Sequence, residues 1–404
     1  MNIINIFRRC TYCKLLFFFS IIAGWPCVFY LMGWLPHYIV NYVLLLFLTG
    51  GYVLYKNEFR LPRPIASILL LQMLVWFLYV IIHGMDFAYF TRIFYLLICY
   101  FILEIQLSSN SSLFKVYNYW IVFQVIAGTI GFLLVLTGFL EPLFTFKEMD
   151  MRTGYCFVFF TTNTYYLGLV RNAGFFDEPG ALANWGMFAL VINKLFCYNK
   201  KIEIILIFGL ISTLSLAYFI QILFYAFFFY RSRIKIIIPS VLIFILLLKV
   251  VSMSNKWIDK AIFGRMEYNE VSGTISGDNR QDLVVNTWGY FQKAPWIGNG
   301  ASHIIEQSVR DKKFVGANVF TTLATDGIVG QIVVLLPFFF LYYLGRYDKK
   351  YKYAFWILII GLLQRPYDNT QILYPLLTIS LVLYAYLDNK SVFCEYENTT
   401  NSLA

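Results

Sequence analysis

Long stretches of apolar residues recur from one end of the chain to the other, the run 353–364 being the shortest. They constrain the fold more than any other feature. They cover residues 15–34, 36–55, 65–82, 88–107, 117–138, 180–198, 202–214, 216–230, 234–251, 318–344, 353–364 and 371–387. A spanning helix needs about 20 apolar residues, because hydrocarbon offers the backbone no partner and a helix bonds to itself. Composition agrees: 60% of the 404 residues are hydrophobic, 20% are aromatic and only 13% are charged. A soluble domain is roughly a quarter charged, and no soluble fold of this length could hide so much apolar surface. A soluble enzyme, a disordered chain and a disulfide-built secreted domain are excluded. The expectation is an all-α polytopic membrane protein, residues 1–404 forming a single integral membrane domain with about 12 transmembrane helices.

Two details refine that count. The run 202–230 is too long for one span, and Thr213-Leu214-Ser215 is its natural break, since Ser and Thr compete for backbone hydrogen bonds. The basic start (Arg8, Arg9, Lys14) precedes an apolar run longer than a signal-peptide core, so 15–34 reads as an uncleaved first helix. Net charge is +10, which suits cytoplasmic loops rather than nucleic acid. With the N-terminus inside, the short inner connections hold Lys56, Arg60 and Arg63; Lys115; Lys194, Lys200 and Lys201; Arg231, Arg233 and Lys235; Arg346, Lys349, Lys350 and Lys352; and Lys390. Both termini are therefore expected in the cytoplasm. Cys10 and Cys13 form a lone CxxC with no second pair or His cluster, so neither a metal site nor a cofactor is called for.

Two long outer loops remain, residues 139–179 and 252–317. The chain has no internal repeat of the kind from which transporters are built, and this asymmetry puts the working surface outside. The first loop ends in Arg171-Asn172-Ala173-Gly174-Phe175-Phe176-Asp177-Glu178-Pro179-Gly180. Pro179 suits the first turn of a helix, with Asp177 and Glu178 at its positive end. A capped helix entry with an interfacial Arg explains the acids alone, but less well the packing of Arg, two acids and two Gly into one decapeptide. The second loop carries Lys256, Lys260, Arg265, Arg280, Lys293, Arg310, Lys312 and Lys313, balanced by acids. Residues 280–293 read as an amphipathic helix with Leu283, Thr287, Trp288 and Phe291 on one face and Trp288 in the headgroup layer. Gly298-Asn299-Gly300-Ala301-Ser302-His303 then reads as a turn able to offer N–H groups to phosphate. His303 is a candidate for acid–base work, as imidazoles are, although a lone loop His is more often just a surface residue. Asp326 and Gln331, and Arg365 with Asp368, are polar groups at outer helix ends, the last two able to pair.

These segments resemble a family. Residues 171–180 are similar to an R-x-x-G-x-F-x-E-P element of bacterial O-antigen polymerases, and the 213–215 break resembles their short outer turn. Gly264-Arg265, Ser276 to Arg280 and Pro295 to Gly300 are similar to the large periplasmic loop of the polymerase and ligase superfamily. Asn318-Val319-Phe320 through Gly327-Ile328-Val329-Gly330 resembles their helix entry. The likeness covers roughly residues 150–335. One departure is Ala317, where ligases carry a His; it favours polymerase over O-antigen ligase. The resemblance implies a glycosyltransferase of lipopolysaccharide biosynthesis in the bacterial inner membrane, with both long loops periplasmic and containing short amphipathic helices. It would transfer a growing glycan from undecaprenyl pyrophosphate to a lipid-linked repeat unit. Arg171, Arg265, Arg280, Asn318 and Arg365 would bind pyrophosphate or glycan. Glu178, Asp177 or His303 would accept or orient the acceptor proton. Partners would be undecaprenyl-pyrophosphate-linked oligosaccharides and the bilayer, with a chain-length regulator and a flippase as candidates and no nucleic acid. An O-antigen ligase and a polysaccharide flippase are the alternative readings.

Overall fold

The computed structural model describes residues 3–23, 38–57, 59–109, 112–147, 153–163, 165–166, 169–233, 268–269, 274–275, 280–311, 318, 320–364 and 371–389. Helices dominate these residues. They are α1 (Ile3–Ile22), α2 (Tyr38–Lys56), α3 (Arg63–Ile82), α4 (Phe87–Ser108), α5 (Leu113–Leu136), α6 (Pro179–Ile192), α7 (Lys200–Gly209), α8 (Leu216–Phe229), α9 (Arg280–Lys293), α10 (Ala301–Arg310), α11 (Thr321–Leu344), α12 (Lys349–Gln364) and α13 (Leu373–Asp388). Among the described residues five segments are long and apolar enough to cross a membrane: Arg63–Ile82, Phe87–Ser108, Leu113–Leu136, Pro179–Cys197 and Thr321–Leu344. The chain is a helical membrane protein. The expected span 234–251 lies outside the described residues.

Large apolar side chains are exposed along the outer faces of α2, α3 and α5, as lipid contact requires, while α6 and α13 are buried almost completely. Helix ends are held by local chemistry. The Asp86 carboxylate caps α4 by accepting from Ala88 N. The Glu104 carboxylate accepts from Arg60 N and Leu61 N at 2.7 and 3.1 Å, fastening the entry to α3 against the far end of α4. Lys194, Tyr225 and Tyr230 converge on Glu203, and Lys350 bridges Asp348 and Asp388. Groups from connections expected on one side of the membrane therefore do meet one another.

Three expectations change. First, α1 begins at Ile3 rather than at residue 15; no Gly or Pro interrupts residues 3–22, so nothing in the sequence stops the helix earlier. Second, the described part of the first long loop holds strands and no amphipathic helix. β1 (Phe144–Lys147), β2 (Thr153–Cys156) and β3 (Thr161–Thr162) form an antiparallel sheet, and β4 (Tyr165–Tyr166) pairs with β5 (Leu169–Val170). Thr, Tyr and Phe crowd this stretch, and such residues favour the pleated backbone. Third, Gly298–His303 is not one turn, because α10 begins at Ala301 and takes up His303.

The 202–230 run breaks where expected. Thr213 Oγ1 and Ser212 Oγ donate back to Leu210 O and Gly209 O, and α7 tightens into a 3-10 turn over Leu210–Thr213. Leu214 then adopts φ 46° before α8 starts.

Candidate functional site

The decapeptide 171–180 is built onto that break. Asn172 N donates to Ser212 O (3.0 Å), and Asn172 Nδ2 donates to Ser212 Oγ (2.9 Å). The Arg171 Nε–H donates to Thr213 O (3.0 Å), so the guanidinium is anchored to the 3-10 turn. Gln124 of α5 accepts from Phe175 N, and Thr161 Oγ1 donates to Gly174 O and Phe176 O. Asp177 and Glu178 are half-buried beside Pro179 at the start of α6. Glu178 is the N-cap position but its side chain makes no capping bond. Arg171 and the two acids thus share one ordered segment at a helix entry.

The second site is a discontinuity in α11. Gly327 has φ 68° and ψ −171° inside an otherwise helical run. Such a break orphans carbonyls before it and N–H groups after it, and in a membrane each orphan is costly. Residues 295–300 supply the missing partners. Asn299 N and Gly300 N donate to Ala324 O and Thr325 O (both 3.0 Å), while Ile328 N and Val329 N donate to Pro295 O and Trp296 O (2.9 and 3.1 Å). The approach is so close that a Cβ on Gly298 would collide with the Thr325 carbonyl, and one on Gly327 with the Trp296 carbonyl. This corrects the anion-binding reading of the Gly298-Asn299-Gly300 turn: its N–H groups are spent on Ala294, Ala324 and Thr325. Upstream, α9 matches its expected bounds and lies on α11 as well as facing outward. Asn318 is buried, donating from Nδ2 to Thr287 Oγ1 (2.8 Å) and to Leu283 O (3.4 Å), which gives it a structural role at the entry to α11. Trp288 meets Phe320 edge-on and stays 41% exposed.

Just before the break, Asp326 is fully buried. Its carboxylate accepts from Arg92 (2.7 Å) and from the Tyr89 hydroxyl (2.9 Å), and the Tyr79 hydroxyl donates to its main-chain oxygen (2.6 Å). The Arg92 guanidinium carbon lies 4.6 Å from the Trp76 ring centre and 4.8 Å from that of Tyr89. Asp326 was expected as an outer-end polar group, and Arg92 was missed. Its only signal was a cation inside an apolar run, which calls for a partner.

Above this pair opens a cleft of about 450 Å³ lined by His83, Gly84, Asp86, Phe87, Asn299, Ser302, His303 and Glu306. The Asp86 carboxylate accepts from Ser302 N (2.9 Å) and Ser302 Oγ (2.7 Å). Partial burial works against its charge, but the Ser302 and Ala88 donors outweigh it and hold the carboxyl below its ordinary range. His83 Nε2 lies 3.1 Å from Ile297 O and must donate to it, leaving Nδ1 as the base when the ring is neutral. His83 stacks on Tyr89, which joins the cleft to the buried pair. His303 is exposed at its edge.

Of the expected site residues, then, Arg171, Asp177 and Glu178 lie in one segment and His303 in another. Arg265 and Arg365 lie outside the described residues, and Arg280 is described only as the first residue of α9. Among the described residues no group of three or more His, Cys, Asp and Glu could hold a metal ion. No family model matches this sequence, and a search of curated proteins finds no match either.

Proposed function

We propose that this membrane protein is a polysaccharide polymerase that lengthens a surface glycan at the periplasmic face of a bacterial inner membrane. The observation that carries this reading is the arrangement of the two segments resembling O-antigen polymerases. Each is folded onto the end of a membrane helix, one on the 213–215 break and the other into α11. Two lipid-linked substrates need such an arrangement, with their polyprenyl tails in lipid and their head groups against ordered loops.

In the proposed reaction an acceptor hydroxyl oxygen bonds to the anomeric carbon of the donor sugar. The bond from that carbon to undecaprenyl pyrophosphate breaks, and the pyrophosphate leaves with the electron pair. Arg171, with Arg265 and Arg280, would neutralise the leaving charge, the contribution that usually dominates such catalysis. Glu178, Asp177 or His303 would take the hydroxyl proton. The donor carries its own energy, so nucleotide is not required outside the cell.

A second reading, a flippase, draws on the Arg92–Asp326 pair beside a broken helix, since such features recur at transport sites. Against it, both charges are sealed, at 1% and 0% exposure, and neutralise each other. Deletion of the gene followed by gel analysis of the surface lipopolysaccharide separates the readings. A ladder collapsed to core plus one repeat unit is expected. Bare core would point to a flippase or ligase and overturn polymerisation. Arg171→Ala at unchanged protein level is expected to abolish extension, and Lys at this position to rescue poorly because it lacks the planar fork.

A further inference from the structure

The cleft above the buried ion pair has a composition that selects its ligand. Its acids are Asp86 and Glu306, its imidazoles are His83 and His303, and among the described residues no Lys or Arg lines it. In the described lining a pyrophosphate would meet two carboxylates and no cationic side chain, which Coulomb repulsion opposes. The same walls suit a hydroxyl-rich neutral ring. Carboxylates accept from sugar hydroxyls, and an imidazole can donate or accept. Asn299 spends its Nδ2 on Tyr290 O and Ala324 O, which leaves its Oδ1 as an acceptor. Phe87, 55% exposed, offers an apolar face of the kind that packs against the C–H side of a sugar. The volume lies within the roughly 300–1,000 Å³ typical of small-ligand pockets.

The cleft is also preorganised. Asp86 is fixed by three donors, from Ala88 and Ser302, and His83 by Ile297 O. Asn299 and Gly300 are built into the α11 break. Rigid walls spare a ligand the cost of ordering its site. His303 and Glu306 stand one turn apart on α10 and face the cleft from its other side, their side chains free of hydrogen bonds and ion pairs with other described residues.

We infer that this cleft binds a terminal, phosphate-free sugar of the acceptor glycan, and that pyrophosphate is handled elsewhere. The identity of the glycan as an acceptor rests on the polymerase reading; the sugar preference of the cleft does not. Glu306 and His303 would then contact acceptor hydroxyls, Phe87 would carry the ring, and Asp86 would act as a positioning residue through Ser302.

The test uses the full chain in lipid nanodiscs and saturation-transfer NMR. The probe is the repeat-unit oligosaccharide released, free of phosphate, from the host's own surface polysaccharide. Saturation of its sugar protons is expected in the wild type. Affinity should fall about tenfold in Glu306→Gln and in Phe87→Ala, as loss of one charged hydrogen bond or one packed ring predicts. Excess inorganic pyrophosphate should not compete. No saturation in the wild type, wild-type affinity in both cleft variants, or displacement by pyrophosphate would each overturn the inference. Bare core in the deletion strain with sugar binding intact would remove the polymerase reading and keep the cleft. Core plus one repeat with binding unaltered in both variants would do the reverse.

Discussion

Asp326 and Arg92 illustrate what a single buried pair means in a membrane. Neither charge is exposed to bulk solvent, and each has the other, a tyrosine hydroxyl or two aromatic rings as its surroundings. Removing one partner of such a pair typically costs about 3–5 kcal/mol, because the survivor is left charged and uncompensated. Replacing both by apolar residues of similar volume costs far less. Asp326→Ala should therefore unfold at markedly lower temperature than the wild type in detergent, with Arg92→Met/Asp326→Leu restoring most of the loss. Equal melting temperatures for Asp326→Ala and the wild type would rule out a net contribution. The pair was only half legible in sequence. Asp326 stands out as an acid beside Gly327, but its partner lies 234 residues away, and nothing local joins them.

At the scale of elements, the reading of the chain was best where one physical constraint dominates. The apolar runs that fall among the described residues are helical because hydrocarbon leaves the backbone no alternative, and α9 took its expected bounds because an amphipathic period is a local property. Outside lipid that constraint is absent. The first loop folded as small sheets, for which its Thr, Tyr and Phe content was the available signal. The Gly298–Gly300 turn was legible as a turn, but where its N–H groups point depends on a break in another element. The α3–α4 connection is docked on α10 by Asp86, and that docking is pH-dependent. Because the folded pKa of Asp86 is depressed, the stabilisation is present above the ordinary carboxylate value, about 4, and is lost as pH falls through the folded value. Asp86→Asn should be less stable than the wild type at neutral pH, and the gap should close on acidification below about pH 4. Thermal melts of both proteins across that range check the sign; a gap constant with pH would remove the carboxylate from the docking.

For the whole molecule, the proposal assigns a side to each end of the bundle. The cleft and the 171–180 segment belong outside, and the Lys194–Glu203–Tyr230 cluster inside. Cysteines introduced at Ile305 and Tyr198, both exposed, in a chain without its native cysteines, should react oppositely with an impermeant maleimide added to intact cells. Ile305→Cys should label and Tyr198→Cys should not. The reverse pattern would turn the molecule over and end the periplasmic reading.

The threading of residues 295–300 into α11 also bears on how the protein is made. The segment precedes α11 in the chain, so a ribosome delivers it first. In the proposed topology, α11 enters lipid with a break whose carbonyl and N–H groups have no partners until this segment lies beyond the far face of the bilayer. Export of the second loop and insertion of the helix behind it would then be steps in a fixed order. A chain stalled between them would present the quality-control machinery with an unsealed helix.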